Sequence, residues 1–160
     1  MFSIIRIMFV CHGNICRSPM AEYIFKDLAE KRGVMDRFYV SSSATSSEEI
    51  FNGRGSPVYP PAKAQLNRHG IDCGGKRAVQ LKSEDYSNYD MFIGMDEYNI
   101  RNMRRILKGD AEGKIYKLMD FTSRGGDVAD PWYSGAFKEA FYDIKEGCEA
   151  LMNHLINRAG

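Results

Sequence analysis

The chain has 160 residues, of which 44% are hydrophobic and 27% are charged, and its net charge is +1. This size and composition predict one globular domain, residues 1–160, with a single well-packed core. The small net charge gives no electrostatic reason to expect a nucleic-acid or anionic-membrane partner. No stretch reaches 18 uninterrupted apolar residues, and the N-terminal apolar run is interrupted by Arg6 and has no cleavage site after it. A cytoplasmic location is therefore expected.

The first elements are a strand, a short loop and a helix. Residues 4–10 form an apolar, β-branched run, which predicts a buried strand. Ser18 is expected to be the N-cap of a helix that has Pro19 at its first position and ends near Gly33. The loop between them begins with a thiol and ends with a guanidinium.

This loop has the residue types of an anion site with a nucleophile in it. A strand–loop–helix aims backbone N–H groups and the positive end of the helix dipole at one point. A cysteine in that position, beside an arginine, is held as a thiolate, so Cys11 is a candidate nucleophile. The planar fork of Arg17 suits two phosphate oxygens, while Gly13 and Asn14 permit tight backbone turns and Ser18 can donate to the sulfur. Phosphoryl transfer to sulfur is predicted; the alternative is a buried structural cysteine before an ordinary helix cap.

Strands and helices alternate through the rest of the chain. We expect strands at residues 38–40, 90–95 and 114–119, and helices at residues 60–70, 96–107 and 134–157. Residues 41–47 are too polar for a core element, and residues 51–61 are rich in Gly and Pro, so both stretches are predicted to be loops. The alternation predicts an α/β fold, a doubly wound four-stranded parallel sheet with helices on both faces.

The cysteines and histidines do not predict a metal site or a disulfide framework. The cysteines are Cys11, Cys16, Cys73 and Cys148, and the histidines are His12, His69 and His154. Their spacing fits neither a zinc site nor a secreted scaffold, so no metal and no other cofactor are expected. Only the first two cysteines are close, five residues apart in a tight loop, which permits a disulfide if the geometry allows it.

Five segments resemble the low-molecular-weight protein tyrosine phosphatases. Residues 10–22, VCHGNICRSPMAE, are similar to the signature of that family. Residues 42–45 (SSAT), 68–71 (RHGI), 94–96 (GMD) and 130–133 (DPWY) match further family motifs in the same order along nearly the whole chain. The resemblance implies the strand order 2-1-3-4, which puts the switch point of the sheet beside the first strand.

The resemblance also implies roles for individual residues. The catalytic residues would be Cys11, Arg17 and Asp130, and the phosphate-binding loop would consist of Cys11, His12, Gly13, Asn14, Ile15, Cys16, Arg17 and Ser18. Asn14, Ser18, Ser42 and His69 would support that loop, and Ile15, Glu48, Trp132 and Tyr133 would line the substrate cleft. Cys16 would protect Cys11 from irreversible oxidation through a disulfide, although a packing role is the alternative. Many relatives have an aromatic residue where Glu48 stands, so an altered peptide preference is expected on that side.

The acid that protonates the leaving phenolate is expected in the loop after the fourth strand. Asp120, Asp127 and Asp130 are the candidates. Asp130 is preferred because Pro131 stiffens its backbone and two aromatic residues follow, and because the family's acid lies in such an Asp-Pro-aromatic sequence. Without the resemblance, a plain Asp-Pro turn would be the better interpretation.

Three other functions remain possible on the same fold. Arginine phosphatases resemble this loop but have Thr where Ile15 stands, which favours tyrosine. A thiol-dependent arsenate reductase needs two further closely spaced cysteines, whereas Cys73 and Cys148 are isolated. A non-enzymatic phosphate-binding module would not need the complete set of thiol, guanidinium and carboxyl. The expected partners are phosphotyrosine proteins or small aryl phosphates, with inhibition by phosphate-like anions and a monomeric or weakly dimeric state.

Overall fold

The computed structural model describes residues 3–159, so residues 1–2 and 160 of the predicted domain lie outside it. In chain order its elements are β1 (Ile5–Cys11), α1 (Arg17–Lys31), β2 (Phe38–Ala44), β3 (Ile50–Phe51), β4 (Arg54–Gly55), α2 (Pro60–Arg68), β5 (Met91–Gly94), α3 (Glu97–Ile106), β6 (Ile115–Lys117), α4 (Pro131–Ser134) and α5 (Phe137–Ala159). Short 3-10 helices span Met35–Arg37, Ser83–Asn88 and Leu118–Phe121. None of the helices in residues 3–159 is long and apolar enough to cross a bilayer.

Four parallel strands form the central sheet in the order β2-β1-β5-β6. Counted along the sheet strands alone, this is the predicted order 2-1-3-4, which is confirmed. β1 lies inside the sheet, paired with β2 on one side and with β5 on the other. The chain adds β2 on one side of β1 and then β5 and β6 on the other, so the strand order reverses at β1. The carboxyl end of β1 therefore lies at the crevice where α/β proteins bind ligands.

Helices cover both faces of the sheet, as predicted. Ile7 and Phe9 of β1 pack in the larger core cluster with α1 and α5, whereas Met8 and Val10 pack in a second cluster with α3. Side chains alternate between the faces of a strand, so a strand covered on both sides is apolar throughout. This explains the continuous apolar run that predicted β1.

β2 continues further than its sequence predicted. The strand was expected at residues 38–40, yet it extends through the serines to Ala44 because every one of its residues pairs with β1. Ser42 and Ser43 are buried there. The Ser42 hydroxyl is satisfied inside the protein by Glu22 and Asn14, so its burial carries no unpaired polar group.

The predicted loop at residues 51–61 also contains regular structure. β3 and β4 form a hairpin whose turn residues, Asn52 and Gly53, both have positive φ. Two such residues give the turn that matches the twist of the flanking strands. The hairpin follows directly after the Glu48 segment, whose Ser46 amide donates to the His12 carbonyl of the phosphate loop at 2.9 Å.

The start of α1 also differs from the prediction. Ser18 was expected to be the N-cap, but the helix already begins at Arg17, and the N-cap residue Cys16 makes no side-chain capping bond. The Ser18 hydroxyl points instead to the Cys11 sulfur. α3 does have a side-chain cap, because the Asp96 carboxylate accepts a hydrogen bond from the Asn99 amide at 2.7 Å.

Candidate active site

The phosphate-binding loop, residues 11–18, runs from the end of β1 into the first turn of α1 and surrounds the Cys11 sulfur with hydrogen-bond donors. The backbone amides of Asn14 and Ser18 donate to Sγ at 3.3 and 3.4 Å, and Ser18 Oγ lies 3.0 Å from it. The Ser18 amide belongs to the first turn of α1, so the sulfur itself caps the positive end of the helix. This arrangement stabilises negative charge on Cys11.

Asn14 holds the loop in this shape. Its backbone has φ +58°, a left-handed conformation that asparagine tolerates. Its Oδ1 accepts the Val79 amide at 3.0 Å, which fixes the orientation of the side-chain amide, because a backbone N–H can only donate. Its Nδ2 then donates to Ser18 Oγ at 2.7 Å and to Ser42 Oγ at 3.0 Å. Since Ser18 Oγ already accepts from Asn14, its own proton is available to Cys11.

A buried charged group stands behind this network. Ser42 Oγ donates to Glu22 Oε1 at 2.6 Å, and Lys26 Nζ donates to Glu22 Oε2 at 2.6 Å. Lys76 Nζ donates to the Ser42 carbonyl at 3.0 Å and lies 3.9 Å from Glu22 Oε1. The sequence reasoning missed Lys76 because nothing in its local sequence marks it.

His69 does not take part in this network, contrary to the prediction. It follows the C-terminal end of α2, where its ring stacks on Phe141 at 4.0 Å between centroids. Tyr142 meets the same ring edge-on. The histidine therefore packs between α2 and α5, and Lys76 and Glu22 are the residues that face Ser42.

Arg17 is anchored at the base of the cleft. Its Nη1 donates to Asp96 Oδ2 at 2.8 Å and to the Val128 carbonyl at 2.7 Å, and its Nη2 lies 3.6 Å from Asp130 Oδ2. Burial by itself would lower the pKa of Arg17, but Cys11, Asp96 and Asp130 outweigh burial, and the pKa is raised. Asp96 and the Val128 carbonyl hold Nη1, which leaves the rest of the guanidinium to face the pocket. The group stays positively charged there.

The cleft above Cys11 brings most of the predicted residues together. Its lining residues are Cys11, His12, Gly13, Ile15, Cys16, Arg17, Glu48, Glu49, Asp130, Trp132 and Tyr133. Glu49 was not predicted, although it directly follows Glu48. Asn14, Ser18 and Ser42 lie behind the cleft as support, and all three are buried.

Asp130 sits on one wall, at the start of α4. Its Oδ1 accepts the Trp132 amide at 3.0 Å, so the carboxyl is oriented by the helix that it caps. Trp132 packs on Tyr59 with ring centroids 4.7 Å apart, and Tyr133 is 85% exposed. Two aromatic residues thus flank the carboxyl at the mouth. Tyr59, which precedes α2, is a further residue that the sequence did not indicate.

Two glutamates, Glu48 and Glu49, give the cleft an acidic wall. His12 Nε2 lies 3.1 Å from Glu48 Oε2, and Glu48 is largely exposed. Within residues 3–157, the neighbouring Glu49 carboxylate forms no hydrogen bond or ion pair, and a Cβ built on Gly13 would stand 3.4 Å from Glu49 Cγ. A half-buried, unpaired carboxylate beside an anion pocket favours a substrate with positive charge near its phosphate.

Cys16 lines the same cleft as a free, buried thiol. Burial, and after it the charge of Cys11, strongly raises its pKa. Cys16 therefore stays protonated beside Cys11. The two thiols are chemically distinct, and the backbone donors of the loop point at the Cys11 sulfur.

This geometry coincides with a known family. The model of the low molecular weight phosphotyrosine protein phosphatases matches residues 6–159, and the chain belongs to this family of phosphatase enzymes. The low molecular weight protein-tyrosine-phosphatase YfkJ of Bacillus subtilis strain 168 is 38% identical over 150 residues, which cover 92% of this chain and 94% of the relative.

Solved structures show the same fold. The crystal structure of Bacillus subtilis YfkJ matches with a TM-score of 0.93 and 36% identity, over 99% of this chain and 98% of that one. SP-PTP, a low molecular weight protein tyrosine phosphatase from Streptococcus pyogenes, matches with a TM-score of 0.83 and 31% identity, over 95% and 93% of the two chains. The arginine phosphatase YwlE matches with a TM-score of 0.81 and 26% identity, over 94% and 95%.

Proposed function

We propose that the protein hydrolyses phosphotyrosine through a phosphocysteine formed on Cys11. The observation that carries this proposal is the position of the Cys11 sulfur. It accepts hydrogen bonds from the loop at the base of a cleft that also holds Arg17 and the Asp130 carboxyl. A nucleophile, a phosphate-binding cation and an acid meet around one space, which is the minimum set for transfer of a phosphoryl group to sulfur.

The reaction then runs in two displacements. The Cys11 sulfur attacks phosphorus, the bond to the phenolic oxygen breaks, and Asp130 gives its proton to that oxygen. Water next attacks the phosphocysteine while Asp130 takes the water's proton, and the S–P bond breaks to return the thiolate and release phosphate. Arg17 and the loop amides bind the equatorial oxygens in both steps.

The shape of the cleft supports an aryl phosphate. Trp132 and Tyr133 stand above the carboxyl at the mouth, and Tyr59 supports the indole from behind. A phenyl ring between these aromatic residues would reach down to the sulfur with its phosphate. Inhibition by phosphate-like anions follows from the same geometry. The cytoplasmic location and the monomeric or weakly dimeric state stay predictions.

A second candidate is the hydrolysis of phosphoarginine. It is favoured by the unpaired Glu49 carboxylate in the cleft wall and by the fold shared with the arginine phosphatase YwlE. A carboxylate at that position would suit a guanidinium that carries the phosphate. Against it stands Ile15, a buried apolar residue of the cleft at which arginine phosphatases are expected to have Thr.

One assay tests the proposal against this candidate. Phosphate release is measured from peptides identical except for phosphotyrosine or phosphoarginine, with and without a chelator. We expect kcat/KM to favour phosphotyrosine by about tenfold or more, because the aromatic walls contact only the phenyl ring, and we expect the chelator to have no effect. The reverse order of the two peptides would assign the protein to the arginine phosphatases, and loss of activity with the chelator would contradict a metal-free mechanism.

Arsenate reduction is less well supported than either reaction. Cys73 and Cys148 are both buried, the latter inside α5. Neither lines the cleft, so neither stands where it can relay a disulfide from Cys11.

Mild peroxide is expected to inactivate the enzyme reversibly. Oxidation of the Cys11 thiolate gives a sulfenic acid, and attack by the Cys16 sulfur then forms a disulfide with loss of water. Activity should return with dithiothreitol in the wild type but much less in Cys16→Ser, where oxidation continues to the irreversible acids. The measurement is activity before and after reduction, together with the mass of the Cys11 peptide. Equal recovery in both proteins would make Cys16 a packing residue.

A further inference from the structure

An ion pair between buried Glu22 and partly buried Lys76 lies directly behind the phosphate loop. Glu22 of α1 is 4% exposed and Lys76 keeps only 11% of its side chain exposed, with 3.9 Å between Nζ and Oε1. A buried carboxylate and a buried ammonium are each expensive to desolvate, so both are retained only where the surrounding structure pairs them. Neither residue touches the substrate cleft.

We infer that Glu22 and Lys76 are positioning residues that set the charge state of Cys11 from behind the loop. This inference rests on the proposed role of Cys11 as the nucleophile. It adds two residues that act without contact to the reacting atoms, one through a chain of hydrogen bonds and the other through its charge.

The hydrogen bonds have a fixed direction that starts at Glu22. A carboxylate can only accept, so Ser42 donates its proton to Glu22 at 2.6 Å and keeps its lone pairs for Asn14 Nδ2 at 3.0 Å. The same Asn14 amide donates to Ser18, and the Ser18 hydroxyl is left to donate to Cys11. Glu22 therefore determines which way the hydroxyls turn.

Lys76 adds a positive charge to this side of the loop. Glu22 carries one negative charge, while Lys26 and Lys76 carry two positive ones, so the group has a net charge of +1 behind Cys11. Burial lowers the pKa of Lys76, and the neighbouring Glu22 and Cys11 act in the opposite direction. Because that coupling is mutual, the ammonium that a Cys11 thiolate stabilises also stabilises the thiolate.

Other charged groups also surround Cys11, and the test must hold them constant. They are Arg17 of α1, Asp96 before α3, Asp130 before α4, and His12, Glu48 and Glu49 at the cleft. The variants that follow change none of them. Any change in the titration of Cys11 then comes from the group behind the loop.

The experiment measures the rate at which iodoacetamide alkylates Cys11 at a series of pH values. Iodoacetamide is uncharged, so it reports the thiolate without competing for the phosphate pocket, and mass spectrometry of the Cys11 peptide excludes signal from the other cysteines. In Lys76→Met, the midpoint of the titration is expected to rise by about one pH unit, because a positive charge is lost. Lys76→Arg should restore the wild-type midpoint.

Two matched variants separate an effect of charge from damage to the loop. Glu22→Gln keeps an oxygen that accepts from Ser42 but removes the negative charge, so its midpoint should fall, opposite to that of Lys76→Met. Lys26→Met removes the second lysine that pairs with the Glu22 carboxylate. Lys26 is more exposed to solvent than Lys76, so its loss should shift the midpoint much less. Damage to the loop would move the Lys76→Met and Glu22→Gln midpoints in the same direction.

The outcomes distinguish this inference from the proposed function. Equal midpoints in the wild type, Lys76→Met and Glu22→Gln would overturn the inference, as would equal shifts in Lys76→Met and Lys26→Met. If Lys76→Met does not fold, the direction of the Glu22→Gln shift decides alone. A wild-type Cys11 that titrates like an ordinary thiol, near pH ~8.5, would instead contradict the proposed nucleophile.

Discussion

Replacement of Cys11 by serine is expected to abolish phosphotyrosine turnover while the fold and the anion site remain intact. The loop amides, Arg17 and Asp130 all stay in place, but a serine hydroxyl is not ionised by these surroundings and cannot attack phosphorus. Turnover should fall by about 10⁴-fold or more, as is typical when the nucleophile is removed from a set of catalytic residues that act together.

The test of Cys11→Ser needs a second measurement to show that the site survives. Isothermal titration with inorganic phosphate should still detect binding, because the donors that hold the phosphate oxygens are unchanged and the repulsion from the thiolate is gone. Cys73→Ser is the matched control, since Cys73 is also a buried cysteine but does not line the cleft. Near-normal turnover in Cys11→Ser would show that the phosphocysteine mechanism is wrong.

The parts of the site that are contiguous in sequence could be predicted from it. β1 and the phosphate loop each have their signal within a few residues, because an apolar run and a thiol before a helix start both act locally. The Asp-Pro pair predicts only a turn, and the role of Asp130 as the acid required the resemblance. The sheet order required the resemblance as well, since hydropathy patterns do not report which strands are neighbours. Once β1 is placed inside the sheet, the position of Cys11 at the crevice follows.

The residues that the sequence did not reveal depend on contacts between distant segments. Ser42 and Ser43 look like loop residues, and only the pairing of β2 with β1 makes them a buried strand. Ser18 has a side chain typical of a helix N-cap, but its hydroxyl contacts the Cys11 sulfur instead. Lys76 is 54 residues from Glu22 in the sequence, and no local pattern links the two. In each case a tertiary partner overrides the local preference.

Replacement of Asp130 by asparagine is expected to slow phosphotyrosine hydrolysis by about 10²–10⁴-fold, the range typical of a lost general acid. Asparagine keeps an oxygen that can accept the Trp132 amide at the start of α4, so the loop retains its geometry while the transferable proton is lost. Two neighbouring carboxyls provide the controls. Asp127 pairs with Lys117 at 3.0 Å, and Asp120 is exposed, and neither lines the cleft. Asp127→Asn and Asp120→Asn should retain near-normal rates.

The decisive measurement for Asp130 is the dependence of the rate on the leaving group. A phenol with a pKa of about 10, like that of tyrosine, leaves poorly as an anion and needs the proton, whereas a much more acidic phenol leaves without it. In a series of aryl phosphates, measured where formation of the phosphocysteine limits the rate, Asp130→Asn should therefore lose most with the least acidic phenols and least with the most acidic. The wild-type rate is expected to fall at high pH as the acid loses its proton, and the variant should lack that fall. A loss of equal size across the whole series would mean that Asp130 only shapes the loop, and Asp127 would then be the next candidate for the acid.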